Sequence, residues 1–154
     1  MTPAKNKKFK KQYPAGRHVG IFVNDIDKTS RFYIQRLGFK MDRDYVADQK
    51  IIKDIFGIHS SCRIRYLSLD DFGVELFYFP QVKLKPRNAR TSGANHWTLL
   101  VRDKFSFCRG LKKKNVKVIE VIKSHTTTFF IEDPEANLIE VKSHEDPNHA
   151  QKRY

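Results

Sequence analysis

Two histidines and two glutamates stand in stretches that otherwise read as apolar strands. His18 opens HVGIFV and His96 opens HWTLLV; Glu75 lies inside VELFYF and Glu140 inside LIEVK. Side chains along a strand alternate between the faces of a sheet. Val19, Ile21 and Val23 therefore share one face and His18 takes the other. Trp97, Leu99 and Val101 oppose His96 in the same way, Val74 and Leu76 flank Glu75, and Ile139 and Val141 flank Glu140. Each polar residue belongs to the face that covering helices would leave open. Taken singly, a strand histidine is commonly structural and a strand glutamate commonly faces water. Taken together, the four have the chemistry of a cation site. Two carboxylates in one cleft repel and resist ionisation. One divalent metal ion would neutralise both and accept the imidazole lone pairs. Mixed nitrogen and oxygen donors suit Ni²⁺, Zn²⁺, Fe²⁺, Mn²⁺ or Co²⁺ better than Ca²⁺.

The elements that must position these residues occur twice. RHVGIFV reads as a strand, and Ile26, Phe32, Tyr33 and Leu37 give the next segment an apolar helix face. Asp25 or Asp27 can cap that helix and Gly38 can end it. KMDRDYVA is a strand, DQKIIKDIFGIHSS is a short helix or an irregular loop, and CRIRYLSL with VELFYF is a hairpin. After an aperiodic stretch with Pro80, Pro86 and Gly93 the order restarts: HWTLLV as a strand, RDKFSFCRGLKKKN as a helix, VKVIEVI as a strand and TTFFIEDPEANLIEVK as a hairpin. Laying His18 on His96 puts Val23 on Val101 and Asp25 on Asp103. Each half also ends on a strand with one acid. Such a spaced coincidence points to two copies of one unit that pack together. The organisation expected is a basic flexible tail at 1–16, a first module at 17–80, a linker at 81–94, a second module at 95–143 and a flexible tail at 144–154.

Composition limits the partners. The chain has 154 residues, a formal net charge of +13 and 40% hydrophobic residues, a globular balance with a strong basic excess. Part of that charge lies in the opening segment, at Lys5, Lys7, Lys8, Lys10, Lys11 and Arg17. A nucleic-acid reading has no zinc-finger spacing, helix-turn-helix signature or RNP-like strand behind it and is not favoured. The better reading is a basic domain whose field draws small anionic substrates. No segment has the length of a membrane span, and two cysteines do not make a disulfide framework. A cytoplasmic protein is expected.

At the four polar residues the sequence resembles the vicinal oxygen chelate superfamily, which includes glyoxalase I, methylmalonyl-CoA epimerase, extradiol dioxygenases and the fosfomycin and bleomycin resistance proteins. The segments that carry the resemblance are HVGIFVNDIDKTSRFYIQRLGF, VELFYF, ANHWTLLVRD and FFIEDPEANLIEVK, which span His18 to Lys142. The usual Gly of the family's terminal DPxGN turn is Ala136 here. The resemblance implies an α+β fold of two paired βαβββ modules, forming curved mixed sheets around a metal-binding cleft. It places the metal ligands at His18, Glu75, His96 and Glu140, the set seen in bacterial-type glyoxalase I. Two positions that help hold glutathione in that enzyme are Phe22 and Phe79 here, which points away from glutathione.

The function implied is a metal-dependent isomerase or lyase, of glyoxalase I or epimerase type, that moves a proton beside a metal-chelated oxygen of a small, anionic substrate. Glu140 is the first choice of base and Glu75 the second. Phe22, Tyr66, Phe77, Phe79 and Trp97 are candidate pocket residues, with His59 and His125 as further possible substrate contacts. The alternatives are a non-catalytic antibiotic- or metabolite-binding protein of the same fold, or an extradiol-type dioxygenase. Relatives build the cleft within one chain or across a homodimer, and the sequence leaves that choice open.

Overall fold

The computed structural model describes residues 17–88 and 90–144. The expected tails at 1–16 and 144–154 lie outside them, His144 excepted. Eight strands form two sheets. The first holds β1 (His18–Val23), β2 (Lys40–Ala47), β3 (Cys62–Leu69) and β4 (Phe72–Tyr78), in the order β1-β4-β3-β2. The second holds β5 (His96–Val101), β6 (Val118–Ile122), β7 (Thr127–Glu132) and β8 (Leu138–Ser143), in the order β5-β8-β7-β6. Both sheets are mixed. β1 runs parallel to β4 and β5 parallel to β8, and the remaining pairs are antiparallel. This is the α+β architecture of two like modules expected from the sequence.

The repeated Asp is a helix cap. Asp25 accepts from the Lys28 amide at the start of α1 (Ile26–Leu37), and Asp103 accepts from the Phe105 amide at the start of α3 (Lys104–Lys113). Each satisfies a backbone donor that the first helical turn leaves without a partner. Gly38 ends α1 in the left-handed region at φ 82°. The modules differ at one point. The segment with two readings is a helix, α2 (Gln49–Phe56), capped by Asp48 and ended by Gly57. It lies between β2 and β3, whereas a short connection joins β6 to β7 directly. None of the described helices is long and apolar enough to cross a membrane.

The modules join through the faces opposite their histidines. Ile21, Val23, Val74 and Leu76 of the first sheet share one buried cluster with Leu99, Ile131, Ile139 and Val141 of the second, with Tyr33 of α1 between them. The Tyr33 ring stacks on Trp97 with centroids 6.3 Å apart, and Phe72 lies 5.1 Å from the same indole. A smaller cluster forms where Ile52 of α2 covers Cys62, Ile64, Phe77 and Phe79.

The β7–β8 turn fastens the junction. Tyr33 donates its hydroxyl to Asp133 Oδ2 at 3.0 Å, and the backbone amides of Asn24 and Asp25 donate to Glu135 Oε1. Burial pushes the Asp133 carboxyl above the ordinary aspartate range, and it pushes the Tyr33 phenol up as well. The turn closes on Ala136, which sits at φ 64° where a glycine would be unstrained. An L-residue there costs roughly 1–2 kcal/mol. Replacing it with glycine returns about 0.4–1 kcal/mol to the unfolded chain as entropy. Ala136→Gly should therefore stabilise the protein by up to about 1.5 kcal/mol, read as a higher urea midpoint at unchanged slope.

Candidate functional site

The alternation predicted for the four polar residues holds in both modules. His18, Gly20 and Phe22 form the exposed side of β1 while Ile21 and Val23 are buried; His96, Thr98 and Leu100 are exposed on β5 while Leu99 is buried. The registers match. Gly20 lies opposite Glu75 and Thr98 opposite Glu140, so each His is the diagonal neighbour of its Glu. His18 Nε2 is 3.6 Å from Glu75 Oε2, and His96 Nε2 is 3.6 Å from Glu140 Oε2. Both carboxylates are mostly covered, at 17% and 14% side-chain exposure, whereas His18 keeps 47% and His96 35%. The imidazoles therefore form the open lip of each pair. An aromatic ring holds each at its edge: Tyr66 for His18 and Phe130 for His96, with centroids 5.8 Å and 5.2 Å away. Tyr66 and Phe130 are also the cross-strand partners of Glu75 and Glu140. Gly73 has no side chain because Tyr66 needs its space; a Cβ there would meet the Tyr66 hydroxyl at 2.2 Å.

One chain thus brings the four residues together as two pairs. Among the described residues no three His, Cys, Asp or Glu side chains are close enough to hold one metal ion. The reason is the junction itself. The modules share an interior on their helix-covered sides, which leaves each His–Glu pair on a separate outer face.

The surroundings of the pairs differ. Beside His18 and Glu75 lies a hollow of about 650 Å³, walled by Phe22, Phe77 and Ile64 of the sheet and by Ile51, Ile55 and Phe56 of α2. Phe22 stands edge-on to Phe56, Phe77 and Phe79. Of the expected pocket residues, Phe22 and Phe77 line this hollow, Tyr66 braces His18, and Phe79 is buried beneath at 1% exposure. Trp97 lies on the other side of β5, against Tyr33, Phe39 and Phe72. Its alternation with Leu99 already carried that information. The α2 wall was missed, although Ile51, Ile52, Ile55 and Phe56 follow a helical spacing that one buried face cannot absorb.

Beside Glu140 the neighbours are polar. Thr98 donates to Glu140 Oε2 at 3.3 Å, and Lys142 Nζ lies 3.3 Å from the same oxygen. Lys142 follows Glu140 by two residues, so strand parity was the signal for it. Cys62 and Cys108 are buried, and burial pushes both thiols up to about 11. Neither is a thiolate nucleophile at neutral pH.

Known proteins can now be set beside this geometry. No curated protein matches the sequence. Among solved structures, the chain is similar to the trypanothione-dependent glyoxalase I of Leishmania major, at 22% identity over 86% of this chain and 88% of that one, with a TM-score of 0.66. It is similar to a glyoxalase family protein from Enterococcus faecalis, at 20% identity over 84% and 97% of the two chains, TM-score 0.66. It is also similar to TnmS3, an antibiotic binding protein from Streptomyces sp. CB03234, at 16% identity over 85% and 96%, TM-score 0.59. These likenesses are likenesses of fold. The sequence pattern of one family matches residues 17–141, nearly all of the described chain. The chain belongs to the Glyoxalase/Bleomycin resistance protein/Dioxygenase superfamily.

Proposed function

We propose that this protein is a metal-dependent lyase or isomerase whose sites are completed by a second copy of the chain. The observation that carries the reading is the repeated His–Glu pair, with the same register, spacing and aromatic brace in both modules. Members of the superfamily typically hold a divalent metal. The donors fit one: a neutral imidazole nitrogen and a carboxylate oxygen 3.6 Å apart can both lie about 2.0–2.2 Å from one cation. Each pair is half of a four-ligand set. His18 and Glu75 of one copy with His96 and Glu140 of another would supply the whole. Exposed apolar side chains support such pairing, notably Val46 at 68%, Ile55 at 65% and Ile122 at 79%.

When bound, the cation supplies Lewis acidity to adjacent oxygens of a substrate. The chain supplies the rest. Released from the cation when substrate binds, the Glu140 carboxylate would take the proton from the carbon beside a chelated substrate oxygen and return it to the neighbouring position. Thr98 and Lys142 hold that carboxylate toward the cup. The α2 wall excludes water from the opposite side and seats an apolar part of the substrate.

The test is elemental analysis joined to sedimentation and to an activity screen over 2-oxoaldehyde hemithioacetals, acyl-CoA thioesters and catechols. The expected result is a dimer with one divalent ion per chain, and turnover that chelation abolishes and metal restores. Turnover that survives complete chelation, or that persists in a monomer, would sink the reading. A second reading is favoured by the apolar hollow at His18: a metal-free binding protein that holds an aromatic small molecule there. It expects ligand binding without turnover or metal.

A further inference from the structure

The two outer faces differ in chemistry, and the difference defines a substrate class. Around Glu75 the wall is phenylalanine and isoleucine. From Glu140 a second hollow of about 530 Å³ runs to the turn between β6 and β7; Lys123, His125 and Thr126 of the turn line it with Thr128 of β7, Lys142 of β8 and Lys104 of α3. Among its described lining residues Glu140 is the one acid. Lys142 offsets that charge at 3.3 Å, and Lys123 enters from the turn as a further cation. Phe130 lines the hollow and also meets the His96 ring, so the cationic end is continuous with the His–Glu pair.

We propose that this second hollow binds the acidic head, a carboxylate or a phosphate, of a substrate whose apolar arm lies against α2 of the other copy. The proposal rests on the two-copy site above for the apolar arm, while the acidic head needs only the second module. Ammonium groups hold such an anion as point charges, and threonine hydroxyls add donors with adjustable direction. Three lysines, Lys104, Lys123 and Lys142, line the hollow with one acid and make it electropositive, and a concave wall focuses that field. The glutathione-holding positions of the resemblance are apolar in this chain, at Phe22 and Phe79. The cations stand instead on the opposite module, so the substrate has a polar end and an apolar end.

Calorimetric titration of the full-length protein with phenyl phosphate, phenylacetate and neutral 2-phenylethanol tests this. At least one anion should bind about tenfold or more tighter than the alcohol, a difference of about 1.4 kcal/mol. The preference should shrink as salt rises. Lys123→Met and Lys142→Met, each shown to melt near the wild-type temperature, should weaken the anion about tenfold and leave the alcohol unchanged. Which anion wins identifies the head. Equal binding of anions and alcohol overturns the proposal, as does unaltered anion affinity in a folded Lys123→Met. Repeating the titration under chelation separates the two readings. Anion affinity that vanishes with the metal assigns the anion to the cation and overturns the hollow. Anion affinity that persists in a protein without metal or turnover supports the hollow while defeating the metal-dependent reaction.

Discussion

Glu140→Gln should lower turnover by about 10²–10⁴-fold, the usual contribution of a positioned general base. The substitution keeps the volume of the side chain and an oxygen that can still accept from Thr98. It removes the negative charge that faces Lys142 and His96. Because Glu140 is a strand residue packed between Thr98 and Phe130, the fold should survive and the melting temperature should shift little. The informative comparison is Glu75→Gln, which lies in the matching place of the other module. Both variants weaken metal binding, because each glutamate is a proposed ligand. If Glu140 is the base, the Glu140 variant keeps a low kcat even at saturating metal, whereas the Glu75 variant recovers part of its rate there. A Glu140→Gln protein with wild-type kcat would remove Glu140 from the chemistry.

Mixing two inactive variants should restore activity. His18→Ala damages only the first module and His96→Ala only the second, and in the proposed dimer each alone would spoil every site. After the two are dissociated and reassociated together, half of the dimers are mixed. In a mixed dimer one site carries both defects and the other carries none. Equal amounts should therefore regain about a quarter of wild-type activity, from the two-fold symmetry alone. A site built inside one chain predicts no recovery at all. The measurement is a rate assay before and after reassociation, with subunit exchange checked by a size or charge tag. Activity that stays at the level of the separate variants would place the site within one chain and refute the shared one.

Much of this was readable from the residues because strand alternation is a local rule. His18, Glu75, His96 and Glu140 each declare their face through their immediate neighbours, and the Asp25/Asp103 offset announced two helix caps. What alternation does not say is which two faces meet. That is decided by packing between modules, through Tyr33, Trp97 and the Asp133 turn, between hydrogen-bond partners as far apart in sequence as Asn24 and Glu135. The four residues were accordingly expected around one point and stand as two pairs in one chain. α2 stayed ambiguous because eight residues give a weak periodic signal, and its Ile51 and Ile55 face outward. Trp97 packs on Tyr33, Phe39 and Phe72, as its alternation with His96 requires, and also borders a separate hollow of about 500 Å³ with Phe22 and His96.

The shared interior has an evolutionary corollary. A duplicated unit normally frees one copy to drift, but here a change of volume at Ile21 or Ile139 is felt on both sides of a common wall. Within one chain the outer faces do not pack on each other: one is lined by apolar side chains and the other by basic ones. New specificities can be written there without renegotiating the foundations.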